Sequence, residues 1–225
     1  MFSFPDLQTL LIAAIPVGLI VTAAFIVLIP DWRLALYALA AQYILAAALL
    51  AQLIPLQMAI VRVVSGGLAM MILYFTARQQ REEYRRARRA AEDEAALDRV
   101  DHIYRRDVFV VGFPFRFFAL ALVAVGIIGI ASSMSFLGLT PDVLFSGVWL
   151  ITAGILVAIL SRDVLRLGVG ILVFTSGFSI LETATETSLL LYGLLNIADL
   201  LLALAVAHLS ALPQPELAKP NEAAK

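Results

Sequence analysis

Apolar residues in this chain come in long uninterrupted runs, and polar residues are confined mainly to the gaps between them. Seven runs of membrane length are read, at residues 10–29, 34–54, 58–77, 117–136, 143–160, 164–181 and 189–209. A hydrocarbon core about 30 Å thick is crossed by about 20 helical residues rising about 1.5 Å each. The pattern therefore predicts an all-α polytopic membrane protein of about seven transmembrane helices. The alternation that a membrane barrel needs is missing. Pro30-Asp31-Trp32-Arg33, Pro55-Leu56-Gln57 and Ser161-Arg162-Asp163 read as turns short enough to force antiparallel neighbours. Glu182-Thr183-Ala184-Thr185-Glu186 reads as a further turn, with Thr183 and Glu186 spaced as a capping box. Pro16 falls inside the first run and should kink it or be satisfied by neighbouring helices. Pro213 and Pro215 end the last run.

Charge adds a direction. Outside the runs, arginine and lysine occur only in alternate gaps: Arg33 in the first, Arg78 to Arg116 in the third, Arg162 and Arg166 at the fifth, Lys219 and Lys225 in the tail. The N-terminus and the even-numbered gaps carry none. The positive-inside rule then predicts an outer N-terminus and a cytoplasmic C-terminus, which an odd helix count requires. A multi-pass protein of the cell inner (cytoplasmic) membrane is expected. The N-terminal residues lack a basic region and include Asp6, so the first run reads as a permanent span and not a cleaved signal.

Composition excludes much. A chain of 225 residues that is 62% hydrophobic, with a mean hydropathy of +0.95, is not a soluble globular domain. It has no cysteine, so it supplies no thiolate to zinc, to an iron–sulfur cluster or to a disulfide. Its histidines, His102 and His208, are too far apart in sequence to suggest a haem pair. No Ser/His/Asp set, phosphate loop or metal spacing is present, so neither catalysis nor a cofactor is expected on this chain alone.

Five stretches follow: a three-helix unit at 1–77, a charged cytoplasmic helical loop at 78–107, a fourth helix at 108–136, a second three-helix unit at 137–212 and a disordered tail at 213–225. In the loop, Ala, Arg and Glu dominate, Gly and Pro are absent, and Glu82–Arg86, Arg88–Glu92 and Arg89–Asp93 stand at i,i+4. The third helix is expected to continue into the cytoplasm. This polar helix is either a solvated topology signal or a docking face, with Arg85, Arg86, Arg88 and Arg89 meeting anionic lipid or a soluble subunit. Acidic residues from Glu92 to Asp101 dilute the basic patch, so nucleic acid is not an expected partner.

Polar residues inside the runs are the candidate chemistry. Asp199 lies near the middle of the seventh run, where a carboxylate costs about 2.5–3.5 kcal/mol on insertion scales. It reads either as a protonated acid joining helices or as part of a proton or cation path. Asn196, one turn earlier, shares its face and is placed to hydrogen-bond it. If Asp199 only joins helices while protonated, Asp199→Asn should leave assembly intact. Arg62 stands about one turn into the third run from the outer side and either snorkels outward or pairs in the interior. Gln42 and Gln52 read as interhelical hydrogen-bonders. Ser65-Gly66-Gly67 and Thr175-Ser176-Gly177 read as small faces for close packing. A retinal protein is set aside, because the only lysines lie in the tail.

The order of these features resembles component E of hydrogenase-4, a seven-helix membrane subunit. The likeness rests on Trp32-Arg33-Leu34, Tyr37-Ala38 and Gln42, on Tyr74 and Ala77-Arg78, and on Ser161-Arg162-Asp163-Val164-Leu165-Arg166 followed by Gly170 and Gly177. Asp199 falls close to where that family carries an acid in its last helix. The last three helices also resemble the small three-helix subunit shared by complex I and Mrp-type antiporters. The resemblance implies a non-catalytic membrane subunit of an oxidoreductase or ion-translocating complex, in the lipid bilayer beside antiporter-like subunits. Two departures stand out. The family's intramembrane Glu falls near Thr175, with no acid between Arg166 and Leu181, and the loop after the third helix is longer and more charged. A free-standing transporter and a structural membrane protein are the alternatives.

Overall fold

A computed structural model describes residues 7–90, 112–131, 139–186 and 188–211, with backbone alone at 7–13 and 130–131. These residues form seven helices: α1 (Leu7–Leu28), α2 (Trp32–Leu50), α3 (Leu56–Ala90), α4 (Phe113–Ala131), α5 (Pro141–Leu160), α6 (Val164–Thr185) and α7 (Leu189–Ala211). Among the described residues there is no strand ladder. Helices α2, α3, α5, α6 and α7 are long and apolar enough to cross a membrane, while the apolar stretches Ala14–Leu28 of α1 and Phe113–Gly129 of α4 are shorter. Only helices or closed barrels satisfy every backbone group inside lipid, so long apolar runs have this one local solution.

The ends follow ordinary capping chemistry. Asp31 caps α2 by accepting from the Arg33 amide, and Asp163 caps α6 by accepting from the Leu165 amide. Burial pushes the Asp163 carboxyl above its ordinary pKa, and the amides of the cap pull it back. Pro141 opens α5, where its missing N–H costs nothing. Helix α1 runs through Pro16 without a break. Helix α3 is 35 residues long, or about 50 Å at about 1.5 Å per residue, so its charged end reaches well beyond a bilayer core. The polar continuation read from sequence is present to Ala90. There Arg78 pairs with Glu82, and that contact takes the place of the expected Glu82–Arg86 pair. Glu92, Asp93, His102, residues 132–136 and the tail from 212 lie outside the described residues.

Two rows of three helices stack on each other. Helices α1, α2 and α3 pack in order, as do α5, α6 and α7; α1 meets α5, α2 meets α6, and α3 meets α7. Helix α4 closes one side against α1 and α5. The α5–α6 contact is the most extensive, because Gly147 and Gly154 face Gly177 and Gly170 and let the backbones touch. Elsewhere Gly66 takes the ring of Tyr43, whereas Gly67 faces open space and adds nothing to the small face read there.

Among the described residues, the basic side chains other than Arg62 lie toward one end of the bundle. Arg166 donates to the carbonyls of Ile26 and Ile29, and Arg116 to those of Val27 and Leu28. Two buried guanidiniums thus hold the unsatisfied carbonyls at the end of α1, where the helix dipole favours cations. Gln80 donates to the Ser210 carbonyl at 2.9 Å, joining the C-terminal half of α3 to the C-terminal end of α7. Thr185 and Arg89 are both exposed and lie toward opposite ends of the stack. Single cysteines at these positions, in a chain with none of its own, are expected to label from opposite sides of the membrane. Labelling of both from one side would end the alternating topology.

Candidate functional site

The interior between α2, α3, α6 and α7 contains an ion pair. Arg62 on α3 is 0% exposed and Asp199 on α7 is 1% exposed. Arg62 Nη1 donates to Asp199 Oδ2 at 3.0 Å, and Nη2 donates to Ser176 Oγ at 2.8 Å. Tyr43 on α2 donates its hydroxyl to the same Asp199 oxygen at 2.9 Å, and the Arg62 guanidinium lies 4.9 Å from the Tyr43 ring centre. One contact each from α2, α3, α6 and α7 therefore meets at this pair. The α3–α7 seam continues with Ser65 donating to Asn196 Oδ1 at 2.7 Å and Tyr192 donating to the Met58 carbonyl at 3.0 Å.

The geometry resolves the alternatives for Arg62. It does not snorkel; the lean of helical side chains toward the N-terminus is overridden by the gain from pairing a desolvated charge. Asn196 shares the face of Asp199 but bonds Ser65 and the Tyr192 carbonyl, not the acid as expected. Thr175 is half-buried and donates to the Leu172 carbonyl of its own helix, so its neighbour Ser176 is the residue that joins the pair. Gln42 is fully buried, yet neither amide atom finds a partner, and Gln52 is exposed in the turn after α2. Neither makes the interhelical bond read from sequence. The capping box at Thr183 and Glu186 does not form, because α6 runs on to Thr185 and Glu186 follows its last residue. Glu182 is consequently helical and 9% exposed, with its Oε1 unpartnered. Arg85, Arg86, Arg88 and Arg89 are exposed on the α3 extension, away from the pair.

Sequence reasoning did not mark Tyr43, and it read Ser65 and Ser176 only as parts of small packing faces, not as partners of the polar site. One signal was available for Ser65: Arg62 with Ser65, and Asn196 with Asp199, are each i,i+3 pairs, which places two polar residues on one face of each helix. Nothing local marks Tyr43, which looks like an ordinary packing aromatic.

Chemically, the site is an anion and a cation of equal charge buried together in the bundle. Two isolated charges would be costly to insert, and pairing offsets much of that. Asp199 Oδ2 takes both hydrogen bonds, and Oδ1 has no protein partner although it is buried. Among the described residues no three His, Asp or Glu side chains come together as a metal-ligand group. Comparison with family models, with curated proteins and with solved structures finds no match to this chain.

Proposed function

We propose that the chain is a non-catalytic integral membrane subunit of a hydrogenase-4-like or complex-I-like oxidoreductase or ion-translocating complex. It scaffolds antiporter-like subunits, sits in the inner membrane with its basic end in the cytoplasm, and contributes the Arg62–Asp199 pair to a polar path. The observation carrying this reading is a buried ion pair bonded from four helices, with one carboxylate oxygen left over. An intramembrane ionisable pair reads by default as functional. The helix order supports it through the resemblance described above. The exposed arginines of α3 supply a docking face for a soluble or membrane partner.

Extraction in mild detergent is expected to yield the chain within a larger assembly that contains an antiporter-like subunit. A stable homo-oligomer that transports by itself would favour the free-standing transporter instead. The relay role needs a separate test, in which charge is removed without leaving an ion unpaired. A complex carrying both Arg62→Gln and Asp199→Asn should assemble yet pump fewer protons per electron. Pumping at the wild-type ratio would leave scaffolding as the better description.

A further inference from the structure

Buried polar residues continue from the ion pair toward the α6–α7 turn. On α6, Ser176, Ser179 and Thr183 stand at i, i+3 and i+7 and share a face. On α7, Asp199, Asn196 and Tyr192 do the same, and α6 packs against α7. Ser176 fixes the direction of the α6 face through its bond to Arg62. Gly168, about three turns below Ser179 on that face, packs on Val206 of α7.

Most hydroxyls elsewhere in the bundle are spent on their own helix, although Ser146 Oγ and Ser210 Oγ also have no protein partner. Thr22, Thr76, Thr152, Thr175 and Thr185 each donate back to a carbonyl of their own helix. Ser179 is 0% exposed and its hydroxyl has no partner. Toward the α6–α7 turn, buried Glu182 keeps Oε1 unpartnered, while Oε2 accepts weakly from Thr183 at 3.4 Å. Along this seam Asp199 Oδ1 joins Ser179 Oγ and Glu182 Oε1 as a buried atom without a protein partner. Buried polar atoms in native proteins are bonded to protein or to water. On the other side of the pair Ala69, Leu73, Val169, Leu172, Ala203 and Val206 are buried and apolar, and buried Thr76 spends its hydroxyl on the Ile72 carbonyl.

We infer that the α6–α7 seam is a one-sided aqueous route, carrying water and protons between the α6–α7 turn and Asp199, with Glu182 at its mouth. Its purpose rests on the relay reading above; its existence does not. The proton step is simple. A hydronium reaching Asp199 Oδ1 gives up its proton, an O–H bond forms on the carboxyl, and water leaves. Oδ1 takes the proton because Oδ2 is already held by Arg62 and Tyr43.

The test is thiol access in the intact complex in sealed membrane vesicles. Ser179→Cys, the only thiol in the chain, should react with a small cationic methanethiosulfonate added on the side where Thr185→Cys labels. Because that reaction needs a hydrated thiolate, the rate should exceed that of Val169→Cys by at least about tenfold. Asn196→Cys should behave like Ser179→Cys, which guards against one variant failing to fold. Adding Glu182→Gln should slow the cationic reagent more than a neutral one. Ser179→Cys and Asn196→Cys as inert as Val169→Cys, or reactive only from the opposite side, would overturn the route. Labelling as expected, with wild-type pumping in the Arg62→Gln/Asp199→Asn complex, would keep the route and remove the relay.

Discussion

Replacing Asp199 with asparagine is expected to destabilise the bundle by about 3–5 kcal/mol, and neutralising Arg62 as well should recover much of that loss. The sequence alone suggested the opposite, since asparagine preserves the shape and hydrogen bonding of a protonated acid. The structure removes the premise. Arg62 lies 3.0 Å from Asp199 with no exposure to solvent, so the exchange leaves a guanidinium uncompensated in the interior. Ser176 and the Tyr43 ring remain as neutral contacts and replace only part of the lost attraction. Denaturant or thermal unfolding of the purified protein checks this, using Asp199→Asn, Arg62→Gln and the pair together as a double-mutant cycle. Additive effects, or an Asp199→Asn protein as stable as wild type, would show that the charges do not depend on each other.

The same pair shows where sequence reading stops. Arg62 and Asp199 each stood out because a charge in an apolar run is expensive. Their partnership joins positions 137 residues apart and depends on α3 packing against α7, which no local period encodes. Helix existence was legible for the reason that charges were: lipid leaves few backbone solutions, so runs and gaps map onto helices and turns. Helix ends were less so. Glu182 was assigned to a turn because hydropathy falls there, yet hydrogen bonding carries α6 to Thr185 and covers the carboxylate. Gln42 gives the reverse lesson. A buried amide suggested an interhelical bond, and its neighbour Tyr43 makes the contact instead.

Gly154→Ala is expected to destabilise by about 3 kcal/mol, near the upper end of overpacking effects. A Cβ there would stand 2.4 Å from the Phe174 backbone nitrogen and 2.6 Å from the Gly170 carbonyl oxygen. Both are backbone atoms, so no side-chain rotation relieves the contact and α5 must move away from α6. Gly67→Ala and Gly126→Ala are the controls. Each faces open space, and alanine exceeds glycine in helix propensity by about 1 kcal/mol, so neither should lose stability. An unfolding midpoint for Gly154→Ala equal to that of the controls would mean the two backbones are not in contact. The effect should also reach the ion pair. Gly177, whose Cβ would fall 2.6 Å from the Gly147 carbonyl oxygen, directly follows Ser176. Any substitution that spreads α5 from α6 therefore shifts the hydroxyl that holds Arg62. Gly177→Ala should accordingly lower stability and, in the assembled complex, raise the reactivity of Ser179→Cys, whereas a lesion confined to packing would change stability alone.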